Sequence, residues 1–143
     1  MYGNNRQIIG RAAITEGHRG ILVQLEVRGL LPGWHGVHIN DGGDCSDIAT
    51  FQTAGSTLAL KGEDHGFMNT NGPQQGDLPN MWVGRDGVGR AQFFNSFIHF
   101  PDLHQGGGSA LVIYDTEDDF KSDLSGQPGN RIGCGVISPK SPS

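Results

Sequence analysis

The sequence lacks most of what would mark a membrane, nucleic-acid-binding or disulfide-scaffold protein. No run approaches the roughly 18 consecutive apolar residues of a membrane span, and Met1 to Gln7 carries no apolar signal-peptide core, so a soluble chain is expected. Basic residues are scarce: 10 Lys and Arg stand against 15 Asp and Glu, a net charge of -5, with no basic run. That balance speaks against nucleic acid and against an anionic membrane as partners. There are only two cysteines, Cys45 and Cys134, and their wide separation excludes a CxxC redox or zinc pair. Counting alone leaves two buried thiols and one long-range disulfide equally open. With 17% charged and 35% hydrophobic residues, neither a coiled coil nor a high-charge disordered tail fits. No serine sits in a GxSxG elbow, and Gly106-Gly107-Gly108 has no strand, helix or lysine to make it a phosphate loop.

What the chain does have is glycine and proline, 24 and 7 of 143 residues, nearly twice average usage. Such punctuation predicts one loop-rich domain over residues 1–143, with its core in 6–138 and a frayed tail at 139–143. Period-two alternation is clearest in Ile21 to Arg28, where Ile21, Val23, Leu25 and Val27 share a face, and Ile8 to Thr15 is a similar strand before it. A second hairpin spans Met81 to Phe94 about Arg85-Asp86-Gly87, and further strands are expected at Trp34–Asn40, Ser96–Phe100, Ser109–Asp115 and Arg131–Ser138. No segment holds a capped helical repeat for three turns. The fold class is therefore all-β, a sandwich or barrel. The connections 41–80 and 116–130 are too long to stay unpinned in a compact domain, so the chemistry should lie at whatever pins them.

Three stretches offer candidates. In Trp34-His35-Gly36-Val37-His38-Ile39-Asn40, a strand puts Val37 and Ile39 in the core and projects His38 and Asn40 together from the opposite face. Asn40 has a neutral amide, a poor ligand for copper or zinc. His65 and Asp77 could supply a nitrogen and an oxygen ligand from one loop, two fewer than a structural zinc site uses. In Leu111-Val112-Ile113-Tyr114-Asp115, Tyr114 points away from Leu111 and Ile113 and reads as a buried aromatic with a satisfied hydroxyl.

Taken in order, HGVHIN, GDC, TAGS, HGF, GPQQGDLPN, LVIYDTEDD and RIGCGVI resemble copper/zinc superoxide dismutase of the bacterial secreted type, over about residues 8 to 138. The resemblance implies a flattened Greek-key β-barrel of seven to eight antiparallel strands with two long loops, a Cys45–Cys134 disulfide, and a metal site between barrel wall and loops. It also implies a periplasmic or secreted setting. The family's four copper histidines are matched by His38, Asn40, Thr57 and Tyr114, so one imidazole remains. Its zinc ligands are matched by Thr57, His65, Gln74 and Asp77, so two remain, and Thr57 stands where the histidine bridging both metals would be. Arg131 matches the anion-guiding arginine, His35 a histidine that braces loop backbone, and Asp118 the aspartate that links the two metal sites.

Losing three of four copper nitrogens predicts no copper site of the family's kind, with weak zinc or copper binding at most. The first expectation is a dismutase-like protein without dismutase activity, serving as a structural or interaction module. The alternatives are an enzyme with a rearranged site recruiting His104, Tyr114 or the acids near Asp41 and Asp44, and transient metal binding through His38, His65 and Asp77. Bacterial members carry an extra strand before the first hairpin, whereas only seven turn-like residues precede Ile8 here. An edge left open in this way would be covered by a homodimer contact, an exchanged strand or a protein partner's strand.

Overall fold

A computed structural model of the chain describes residues 1–122 and 128–137; the tail expected at 139–143 lies outside them. The alternation in Ile21 to Arg28 becomes β3 (Gly20–Val27), with Ile21, Val23 and Val27 fully buried and Gln24 exposed on the opposite face. Each such side chain removed from water contributes about 1.5–3 kcal/mol. β2 (Gly10–Gly17) pairs with it through Gly17↔Gly20, and β7 (Gly89–Asn95) pairs on its other side with Val23 opposite Phe93. β6 (Met81–Val83) completes the second hairpin, and β4 (Gly33–His35) lies at the edge, giving a five-stranded sheet in the order β2-β3-β7-β6-β4.

The opposite sheet has the order β1-β9-β8-β5, built from β1 (Tyr2–Gly3), β5 (Val37–Asn40), β8 (Ser109–Tyr114) and β9 (Arg131–Ile137). The single strand expected over Trp34–Asn40 is thus two: Gly36, with no side chain, sits at the corner where the chain leaves one sheet for the other. An added Cβ there would meet Pro128 at 2.9 Å. That split, with the two-residue β1 in a segment expected to be turn-like, raises the count to nine strands among the described residues. All pairings are antiparallel, as the resemblance implied.

One expected strand does not form. Over Ser96–Phe100 the Asn95 side chain accepts hydrogen bonds from the Phe97 and Ile98 backbone N–H groups, and Pro101 opens a short 3-10 helix, Phe100–His104. Asn caps and a proline lacking its N–H favour that local turn over a ladder.

The main core lies between the sheets, on Val23, Leu25, Ile39, Met81, Leu111 and Ile113. A second, smaller cluster lies on the outer face of the β5-β8-β9 sheet, where Phe51, Ala54, Ala110, Val112, Tyr114 and Cys134 pack beneath the loop that follows β5. The candidate site is built on this outer face.

Candidate metal centre

All four residues of β5 are buried, and the strand's free edge is closed by the long loop 41–80. Ile39 N–H donates to the Gly76 carbonyl at 2.9 Å and Leu58 N–H to the Ile39 carbonyl at 2.8 Å, while His38 bridges Asp77 and Asn40 bridges Thr57. The period-two alternation that sends Val37 and Ile39 inward therefore places His38 and Asn40 under the loops, as the sequence suggested.

Asp118 is the centre of the site. Its carboxylate accepts from His38 Nε2 at 2.6 Å, from His65 Nε2 at 2.8 Å and from the Phe120 N–H at 2.7 Å. Asn80 fixes the Asp118 backbone from both sides, donating to its carbonyl at 3.0 Å and accepting from its N–H at 2.9 Å. The two loops can approach this closely because Gly66 (φ +114°) has no side chain; a Cβ there would fall 2.2 Å from the Phe120 carbonyl oxygen. The other ring nitrogen of His65, Nδ1, is in ion-pair contact with Asp77 Oδ1, while Asp77 Oδ2 accepts from the N–H groups of Gly66 and Gln74, both at 2.9 Å.

His38, His65, Asp77 and Asp118 are all buried, and one ligand-capable atom from each lies within 4.8 Å of the others. Burial pushes the His65 imidazole toward its neutral form, but hydrogen bonds to Asp118 and Asp77 and their charges outweigh it and raise its pKa from 6.5 to about 9. Burial likewise pushes Asp118 up, and its hydrogen bonds from His38 and His65 overcome this and hold it well below the usual carboxylate range. The zinc-position half of the site is thus an imidazolium between two carboxylates.

The copper-position half holds one imidazole among three uncharged side chains. Asn40 donates from Nδ2 to the Gly55 carbonyl at 3.0 Å. Thr57 Oγ1 lies within hydrogen-bond distance of His38 Nδ1, at 3.1 Å, while His38 Nε2 stands against Asp118. The Tyr114 ring stacks on His38 at 4.9 Å, tilted by 55°. Both nitrogens of His38, the one imidazole in this half, are thus engaged. The arrangement does not fit copper as four imidazoles would, because the other three positions offer an amide, a hydroxyl and a phenol. Of the positions matched to the family's zinc ligands, His65 and Asp77 offer ligand atoms, while the Gln74 N–H donates to Asp77 and Thr57 lies against His38.

Cys45 and Cys134 form a disulfide, Cα atoms 5.8 Å apart, which ties the loop after β5 to β9. Arg131 donates to the Phe51 carbonyl at 2.8 Å, bracing the same loop, and His35 stands 2.7 Å from both the Tyr114 and Leu31 carbonyls. The other candidates are not brought to the site: Asp41 and Asp44 accept backbone N–H groups within the disulfide loop, and His104 packs its ring on Phe100. Asn80 belongs to the GPQQGDLPN stretch, but nothing in its sequence neighbours marks it as the residue that positions Asp118.

Known proteins share this architecture. A family model described as copper/zinc superoxide dismutase (SODC) matches residues 8–137. The chain is 38% identical over 137 residues to Cu-Zn superoxide dismutase 2 of Aquifex aeolicus, covering 92% of this chain and 80% of that protein. It is 30% identical over 155 residues to the superoxide dismutase-like protein YojM of Bacillus subtilis, covering 95% and 76%. The crystal structure of a SOD-like protein from Bacillus subtilis superposes with a TM-score of 0.88 at 28% identity, covering 96% of this chain and 95% of that one.

Proposed function

This chain belongs to the copper/zinc superoxide dismutase family, and from that premise we propose that it keeps the family's scaffold without its copper chemistry and acts as a structural or interaction module. One observation carries the proposal: of the four copper positions only His38 offers an imidazole, and its two nitrogens are bonded to Asp118 and Thr57. Dismutation needs an ion that accepts and returns an electron, and imidazole ligands suit copper in both oxidation states. Arg131, at the family's anion-guiding position, here braces loop backbone. The disulfide suits an oxidising compartment, periplasmic or extracellular, and among the described residues no helix is long and apolar enough to cross a membrane.

A second reading, weak divalent-cation binding, is favoured by the four buried groups around Asp118. A cation there would have to displace the proton between His65 and Asp77. The two readings separate in one assay: superoxide scavenging by protein loaded with copper and zinc, with metal content measured on the same sample. Inert protein without stoichiometric metal is expected. Stoichiometric zinc without activity would support the second reading, and copper with fast scavenging would overturn both.

A further inference from the structure

The outer face of the five-stranded sheet carries one continuous row of side chains that the metal centre does not use. Register sets Arg11 of β2 opposite Glu26 of β3, and Glu26 opposite Arg90 of β7. The pairing Val83↔Gly89 brings Trp82 of β6 beside Arg90, and Trp82 lies opposite Trp34 on the edge strand β4. Strand alternation turns all five away from the core, in a row that crosses the sheet over about 19 Å. Trp34 and Trp82 are 50% and 55% exposed, and their rings meet edge to face with centroids 5.1 Å apart at 67°, an open aromatic corner. Next to the row, Ala13, Gln24 and Gln92 lie opposite one another, and the short Ala13 side chain leaves room for a groove of about 490 Å³ beside Arg11, Glu26 and Arg90. Glu26 accepts from Arg28 and from Arg90 Nε, each at 3.3 Å, which holds the charges in place across the strands.

We infer that this face binds an acidic polysaccharide, a chain of uronate-type sugars lying along the row with one ring stacked in the tryptophan corner. Three demands select that ligand. The exposed indoles need a ring with an apolar face to lie against. Arg11, Arg28 and Arg90 against the one carboxylate of Glu26 leave the groove two positive charges in excess, on a chain of net charge -5, and this calls for an anion. Glu26 and the amides of Gln24 and Gln92 also need hydroxyl groups that donate and accept. A uronate unit carries carboxylate and hydroxyls together, whereas the phosphodiester backbone of DNA offers Glu26 no donor. A second copy joined by a two-fold axis would set this positive groove against its own duplicate, and a flat bilayer surface does not enter a recessed groove. β1 and β9, from which the terminal segments leave, belong to the opposite sheet. The face shares no residue with the buried centre, so sugar binding and the loss of copper chemistry can fail separately.

Trp34 and Trp82 are the chain's two tryptophans, so intrinsic fluorescence reads the site directly. The test is titration of the full chain with galacturonate and mannuronate hexamers, with maltohexaose, polyglutamate and phosphatidylglycerol vesicles as controls. A saturable change in tryptophan emission with at least one uronate hexamer is expected, at least tenfold tighter than with any control. Trp82→Ala and Arg90→Ala should each weaken it at least tenfold. Arg11→Ala, which keeps both fluorophores, should weaken it severalfold. All three positions are exposed, and circular dichroism of each variant should match that of the unaltered chain. No saturable change with either uronate, or binding that survives both Trp82→Ala and Arg90→Ala, would overturn the inference. Equal affinity for maltohexaose, polyglutamate or the vesicles would overturn it too, giving the face to a neutral sugar, an acidic peptide or a lipid surface. So would a dimer whose tryptophan emission shifts on dilution without sugar, which would assign the face to a second copy.

Discussion

The two halves of the buried site lie under the same loops and touch through Asp118, yet they are held by different forces. At the copper positions Asn40, Thr57 and Tyr114 are neutral, and the loop over them is tied by a covalent bond, Cys45–Cys134, and by Arg131 on the Phe51 carbonyl. At the zinc positions an imidazolium sits between Asp77 and Asp118, and the loop over it is held by charge. A neutral polar group needs one good partner to be buried without loss, while a buried charge needs an opposite charge and several hydrogen bonds. The copper half should therefore answer to redox conditions and the zinc half to pH.

The largest expected effect comes from breaking the covalent tie. Cys45→Ser with Cys134→Ser, or reduction, should lower unfolding free energy by about 4–5 kcal/mol, the chain-entropy value for a loop of this length, by similar amounts at pH 5 and pH 8. Denaturant melts with and without reductant measure it. Next, Asp118→Asn leaves the imidazolium with one carboxylate and should destabilise by about 3 kcal/mol, with most of the loss at neutral pH. A loss as small as that of an exposed carboxylate would mean the charged web is not what holds the zinc half.

The pH dependence has a definite sign. With its folded pKa raised to about 9, His65 contributes stability that is full below pH 6.5 and is lost as pH rises through 9. With its folded pKa depressed, Asp118 contributes stability present above its unfolded value of 3.8 and lost as pH falls below it. Unfolding free energy should thus be flat between about pH 5 and 6.5 and fall on both sides. His65→Gln should abolish the alkaline fall while leaving the effect of reduction unchanged. The smallest effect is on the neutral side: Thr57→Val, which removes the hydroxyl beside His38 Nδ1, should cost about 1–2 kcal/mol. If it costs more than Asp118→Asn, the division between neutral and charged halves is misplaced.

Much of this was legible in the sequence where pattern and contact coincide. The alternation of Ile21 to Val27 specified a strand and its buried face, and Val37 and Ile39 turned His38 and Asn40 outward as they had to. The disulfide was not legible from spacing; only the resemblance paired Cys45 with Cys134. Two features escaped because their causes are non-local. The corner at Gly36 leaves room for Pro128, far away in sequence, to pack against it, and the turn after Asn95 depends on a side chain outcompeting a ladder. Within the site, the residue types singled out His38, His65 and Asp77, but the convergence of His38 and His65 on Asp118 needs three separate segments to meet, and Asn80 acts through the backbone of a residue 38 positions on.

Isothermal titration of copper(II) into the metal-free, oxidised protein tests the proposed loss of the copper site most directly. No saturating site tighter than nonspecific surface binding is expected, since His38 is the one imidazole at the copper positions and both its nitrogens are engaged. One copper bound per chain with high affinity would contradict the account.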